Sequence, residues 1–223
     1  MEFINILNNL KSQYADDCIL RKNETLLLGP GKIPKSRYML FKPLNDEYID
    51  QFLVSQYKNE FPKEYIEFLK YSNGADLYTV KIKSGKFEYA YNLFTIYGLP
   101  LTQPFGRPFD MEEPFDIRVE DLARHDDIPA TWLKCGKYIK EYDMNTINDI
   151  FIDTETLKVY SCVKNEKDII DSWNSLDECF CSIFDYLSES GLVYSKNKKD
   201  GSFFCVDGNE EEPKKHFGFF KRK

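Results

Sequence analysis

The sequence predicts an α+β fold: a single domain whose antiparallel or mixed sheet has about five or six strands, with helices packed mainly on one face. Three observations predict it. Amphipathic helical periods open and close the chain, runs rich in β-branched and aromatic residues occupy its middle, and the two patterns are segregated. With 223 residues, 42% hydrophobic and 30% charged, the chain is long enough to bury one good core.

Residues 3 to 18 place Phe3, Ile4, Leu7, Leu10, Tyr14 and Cys18 mostly at three- and four-residue intervals, which predicts the first helix. ETLLLGPGKIPKS breaks the pattern, because Pro30 and Pro34 cannot donate to a helix or a ladder. A short strand at 38 to 41, YMLF, follows. Asn45 or Asp46 can cap a second helix with the stripe Tyr48, Ile49, Phe52, Leu53 and Tyr57. A third begins at Pro62, buries Tyr65, Ile66, Phe68 and Leu69, and closes on Asn73-Gly74 as left-handed residues.

ADLYTVKI, KFEYAY and NLFTIYGL read as strands of a meander, and NDIFIDTETLKVYSCV as a second hairpin around Asp-Thr-Glu-Thr. Four prolines between 100 and 114 predict a long loop. In SWNSLDECFCSIFDYLSESG, Ser175 and Glu178 stand at capping-box spacing, Leu176, Phe180, Ile183, Phe184 and Leu187 form a stripe, and Gly191 is the stop. The tail alternates charge clusters with aromatics and can add a hairpin around Phe203. The expected organisation is an N-terminal helix and lead-in strand at 1–44, the main α+β unit at 45–190 and a charged, aromatic extension at 191–223.

Thirty-seven acidic against thirty basic residues leave a net charge of −7. That field repels phosphate backbones and attracts basic partners. No apolar run is long enough for a signal core or a membrane span, so a cytoplasmic location is expected. The six cysteines contain no C-x-x-C pair and read as reduced thiols packed as small apolar groups.

FPKEYIEFLKYSNG resembles the Leu-Pro-x-x-Tyr-x-x-Phe-Leu…Asn-Gly signature of the SUKH superfamily, immunity proteins related to a fungal cell-wall synthesis regulator. Phe61, Pro62, Tyr65, Phe68, Leu69, Asn73 and Gly74 stand at the matching positions. Three later features follow in the family's order: a strand ending in Ile96-Tyr97-Gly98, the Asp-led hairpin IDTETLKVY, and Trp173 before a Ser-capped helix. The chain departs from the pattern at Leu157, where the turn usually has Gly, and at Asn148-Asp149, where Gly-Asp is frequent. The resemblance implies a non-enzymatic protein that neutralises a toxin, often a nuclease; the alternative is a regulatory protein–protein scaffold that inhibits nothing. The motif residues are apolar or turn-forming, so they account for folding and leave the partner surface to be sought elsewhere.

Residues 110 to 127 hold eight carboxylates against Arg118 and Arg124, a local balance of −6. Within them Asp110, Glu112, Glu113, Phe115, Asp116, Glu120 and Asp121 are the candidate partner-binding residues, able to steer toward a basic cleft and to anchor with an aromatic. His125 beside Asp126 and Asp127 reads as a surface histidine, and Tyr142, Asp143, Asp149 and Asp153 as turn residues with no calcium-loop spacing. Gly29-Pro30-Gly31-Lys32 lacks the rest of a phosphate loop. Trp132 can be a binding aromatic, whereas Trp173 fits buried packing. Lys214, Lys215, Lys221, Arg222 and Lys223 around Phe217, Phe219 and Phe220 can stack bases, but Glu210, Glu211 and Glu212 precede them. The expectation is therefore a basic protein partner, with no cofactor, metal, direct nucleic-acid contact or membrane contact.

Overall fold

A computed structural model describes residues 1–29, 38–56, 61–84, 87–99, 128–139, 147–163, 168–189, 192–196 and 203–207. The helices are α1 (Glu2–Gln13), α2 (Asp46–Gln56), α3 (Lys63–Tyr71) and α4 (Leu176–Glu189). Nine strands form one sheet in sequence order: β1 (Cys18–Leu20), β2 (Leu26–Leu28), β3 (Tyr38–Leu40), β4 (Ala75–Ser84), β5 (Phe87–Ile96), β6 (Trp132–Ile139), β7 (Ile147–Asp153), β8 (Val159–Val163) and β9 (Ile169–Trp173). Every neighbouring pair is antiparallel, so the sheet is an open meander. A separate hairpin, β10 (Leu192–Lys196) with β11 (Phe203–Asp207), lies beside β4.

The α+β class agrees with the sequence; the strand number does not. KFEYAY and NLFTIYGL are one strand, because Asn92 does not interrupt the ladder: it pairs with Thr79, whose hydroxyl donates to Asn92 Oδ1 at 2.8 Å. The sheet also gains β1 and β2, three residues each, and β6 and β9, whose lysines and aspartates mask their alternation. The first helix stops at Gln13 instead of continuing to Cys18, since the chain turns at Tyr14–Asp17 and Asp17 O accepts from Gly29 N at 2.8 Å.

Buried side chains from all four helices join one apolar cluster with Leu77, Phe94 and Ile96 of the sheet. Phe3 is its hub: the ring lies 5.3 Å from that of Phe180, 6.2 Å from those of Phe68 and Phe184, and 6.3 Å from that of Phe94. Tilted and edge-on aromatic pairs of this kind add to the area they bury.

The helices cap one another across the chain. Asp177 of α4 accepts the Glu2 and Phe3 amides of α1 at 2.8 and 2.9 Å. Glu64 of α3 accepts the Leu176 and Asp177 amides of α4 at 2.9 and 3.3 Å, while Ser175 Oγ takes the Glu178 amide at 3.1 Å. These amides have no intrahelical acceptor, so each carboxylate satisfies orphan donors and meets the positive end of a helix dipole. Asn45 caps α2 through the Tyr48 amide at 2.8 Å, as its sequence position predicts.

The segment FPKEYIEFLKYSNG seats α3 on the sheet. Phe61 stacks on Tyr65 at 5.3 Å, and the Tyr65 hydroxyl donates to Tyr97 O at 2.8 Å. Pro62 precedes the first turn and its carbonyl accepts from Tyr65 and Ile66. Only Gly74 of the Asn-Gly pair is left-handed, with φ 91°; Asn73 acts through its side chain. Asn73 Nδ2 donates to Leu99 O at 2.8 Å and Leu99 N donates to Asn73 Oδ1 at 2.6 Å, both buried. A Cβ at Gly98 would collide with the Asn73 carbonyl, so glycine is required at that close approach. Asn73→Ala strands two buried backbone groups and is expected to cost about 2–4 kcal/mol, read as a lower urea midpoint; a loss below about 1 kcal/mol would show that the clamp is not needed.

Candidate functional site

Three motif segments that are far apart in sequence meet around one cavity of about 410 Å³. The start of α3 contributes Phe61, Pro62, Lys63 and Glu64; the β7–β8 turn contributes Ile152, Thr154, Glu155 and Leu157; the lead into α4 contributes Asn174 and Ser175. Its volume falls in the range of about 300–1,000 Å³ common for ligand sites. Phe61, Pro62 and Ile152 are buried, and Lys63, Glu155, Leu157 and Asn174 are exposed, so the surface grades from apolar to charged.

The turn is held by its first residue. The Asp153 carboxylate accepts the Glu155 amide at 3.0 Å and the Thr156 hydroxyl at 2.7 Å. Burial works against that charge, but the hydrogen bonds outweigh it and hold the carboxyl below its ordinary range. Leu157 closes the turn with its amide bonded to Asp153 O at 2.8 Å and φ of 60°, the left-handed region. It therefore occupies the backbone position that favours glycine, and its side chain is 50% exposed.

The sheet face away from the helix cluster carries a transverse polar row. Successive cross-strand pairs Asp76↔Thr95, Thr95↔Lys137 and Lys137↔Asp149 place these side chains on one face. Thr95 Oγ1 donates to Asp76 at 2.9 Å, and Lys134 Nζ lies 2.7 Å from Asp149 Oδ2. Burial pushes the Asp76 carboxyl up to about 6, opposed by the Thr95 hydroxyl and the positive charge of Lys137. Beside the row, Trp132 stacks on Tyr160 at 4.6 Å and both are half-buried.

The predicted partner-binding residues Asp110, Glu112, Glu113, Phe115, Asp116, Glu120 and Asp121 lie outside the described residues, as do His125, Tyr142, Asp143 and the basic tail. Asp149 is a correction: it is a buried strand residue paired with Lys134, since its acid is matched by a lysine on the adjacent strand. Trp173 is half-buried against the core. Cys135, Cys162 and Cys179 pack as apolar groups, and burial raises each thiol, whereas Cys18 is exposed. Among the described residues no three His, Cys, Asp or Glu side chains group to hold a metal ion, and no helix is long and apolar enough to cross a membrane.

The cavity was missed because each of its walls, taken singly, reads as a helix start or a turn. The signal for it lay in the motifs themselves. Comparison with family models, with curated proteins and with solved structures gave no match.

Two stability measurements check this geometry. Leu157→Gly relieves a left-handed leucine, about 1–2 kcal/mol, against roughly 0.5–1 kcal/mol for glycine's added freedom. The variant is expected to be up to about 1 kcal/mol more stable; clear destabilisation would mean that the leucine's own contacts outweigh the strain. Asp76 has a folded value above its unfolded one, so its contribution favours folding below about pH 4 and is lost as pH rises through about 6. The stability advantage of Asp76→Asn over wild type should therefore grow between those limits, by up to about 3 kcal/mol. A pH-independent difference in urea titrations would contradict it.

Proposed function

We propose that the protein is a non-enzymatic immunity protein that acts in the cytoplasm, binds a cognate toxin and neutralises it by occluding its active site. One observation carries the reading: the residues of the SUKH-like pattern take up connected places in three dimensions. Tyr65, Asn73 and Gly98 fasten α3 to the end of β5, while Phe61-Pro62, the Asp153-led turn and the Ser175 cap surround a single cavity. That convergence is what supports the resemblance. One sheet with a common helix cluster is also the architecture that the resemblance implies.

The partner's chemistry follows from charge. A chain of net −7 with six of those charges concentrated in 110 to 127 is suited to a basic protein, such as a nuclease domain that itself grips phosphates. Opposite potentials raise the encounter rate most at low salt. Reversing Glu112, Glu113 and Asp116 to Lys is expected to slow association with the toxin about ten-fold or more in low salt, with a smaller effect at high salt. Stopped-flow or surface binding against the toxin co-purified from the native host measures it. An unchanged rate removes that stretch from the interface, and a retained partner whose activity the protein leaves intact removes the immunity reading.

A further inference from the structure

We infer that the cavity between α3, the β7–β8 turn and α4 is a docking pocket for a partner segment presenting one large apolar side chain next to a basic residue. The inference rests on the reading above only for the kind of partner, a protein of positive charge.

Leu157 combines a left-handed backbone, which closes the turn, with a side chain 50% exposed at the cavity. Backbone strain of this kind is held by the surrounding structure, as it also is at Glu24 and Tyr78, and it clusters at binding sites. Here it sets an aliphatic group at the edge of a cavity whose buried lining is Phe61, Pro62 and Ile152, so the missing apolar contact is one that a partner can supply. Such a pocket, with a solvated polar rim, is the usual setting for an anchoring residue.

The rim selects the neighbour of that anchor. Glu64 spends Oε2 on the two α4 amides and thereby offsets the positive end of α4, leaving its second oxygen with acceptor capacity. Across the cavity the exposed Glu155 stands on the turn, with its amide fixed by Asp153. Two carboxylates against Lys63 give the rim the same negative sign as the whole chain. Thr154, Asn174 and Ser175 add groups that can bond an extended backbone.

The test uses the full chain, isotope-labelled for amide NMR, and three end-blocked tetrapeptides at millimolar concentration: Gly-Leu-Lys-Gly, Gly-Leu-Glu-Gly and Gly-Ser-Lys-Gly. The first should give saturable shifts at the Thr154, Leu157, Asn174 and Ser175 amides. The other two should bind about ten-fold more weakly or not at all, as expected for losing an ion pair or an apolar anchor. The double variant Glu155→Lys, Leu157→Gly should lose the response while keeping the remainder of its spectrum. Equal affinities for the three peptides, no saturable shift with the first, or an undiminished response in the double variant would each overturn the pocket. Peptide binding without toxin neutralisation would keep the pocket and discard the toxin reading. Neutralisation without peptide binding would do the reverse.

Discussion

The two hydrogen bonds between the Asn73 amide and the Leu99 backbone are the constraint on which the remaining architecture depends. A nine-residue helix such as α3 has too few internal bonds to offset the entropy of its own nucleation, so its structure must be supplied by what it touches. Asn73 holds the chain just past its C-terminal end, and Tyr65 ties its first turn to the Tyr97 carbonyl. With both ends of that lever fixed, Phe68 and Leu69 are delivered into the cluster around Phe3, and Glu64 is left where α4 begins. The helix is thus a spacer between the sheet and the other helices.

From Glu64 the constraint passes outward through charge instead of packing. Glu64 satisfies α4, α4 carries Asp177 on its first turn, and Asp177 satisfies α1. Each carboxylate serves a helix other than its own. Both links span more than a hundred residues of chain, 175 between Glu2 and Asp177 and 112 between Glu64 and Leu176, and the loss of one docking contact is felt at the next helix start. The arrangement also explains why α1 manages without a side-chain cap from its own flanking residues.

Local patterns revealed what local chemistry controls. The Ser175 cap and the apolar stripe of α4, the Asn45 cap of α2 and the Asp153-led hairpin were all legible, because each depends on residues within one turn of the chain. The strands β6 and β9 were not legible. Their charged residues, Lys134 and Lys137 in one and Asp171 in the other, obscure a two-residue alternation that is sustained only by partners on neighbouring strands. The non-local caps and the cavity were hidden for the same reason: Glu64 and Asp177 look like ordinary first-turn acids. Leu157 was legible as the place where the chain departs from a glycine-favouring turn, and the structure shows the left-handed backbone that the departure entails.

The buried polar row on the face opposite the helix cluster has a structural logic of its own. In a meander of nine antiparallel strands, neighbouring strands can slip, and a slip of one residue exchanges the two faces of a strand. Slipping β4 against β5 would carry Asp76 to the side of Phe94 and Phe3 and remove it from Thr95; slipping β7 would part Asp149 from Lys134. Burying an unpaired carboxylate among aromatic rings is far more costly than leaving an apolar side chain in a polar row. The ion pair thus adds little to stability in the correct register, and the buried Asp76 carboxylate lowers it as pH rises through about 6, while both strongly penalise the wrong registers. Register in turn fixes where β7 ends, and therefore where the Asp153 turn meets Phe61, Pro62 and Ser175 to enclose the cavity.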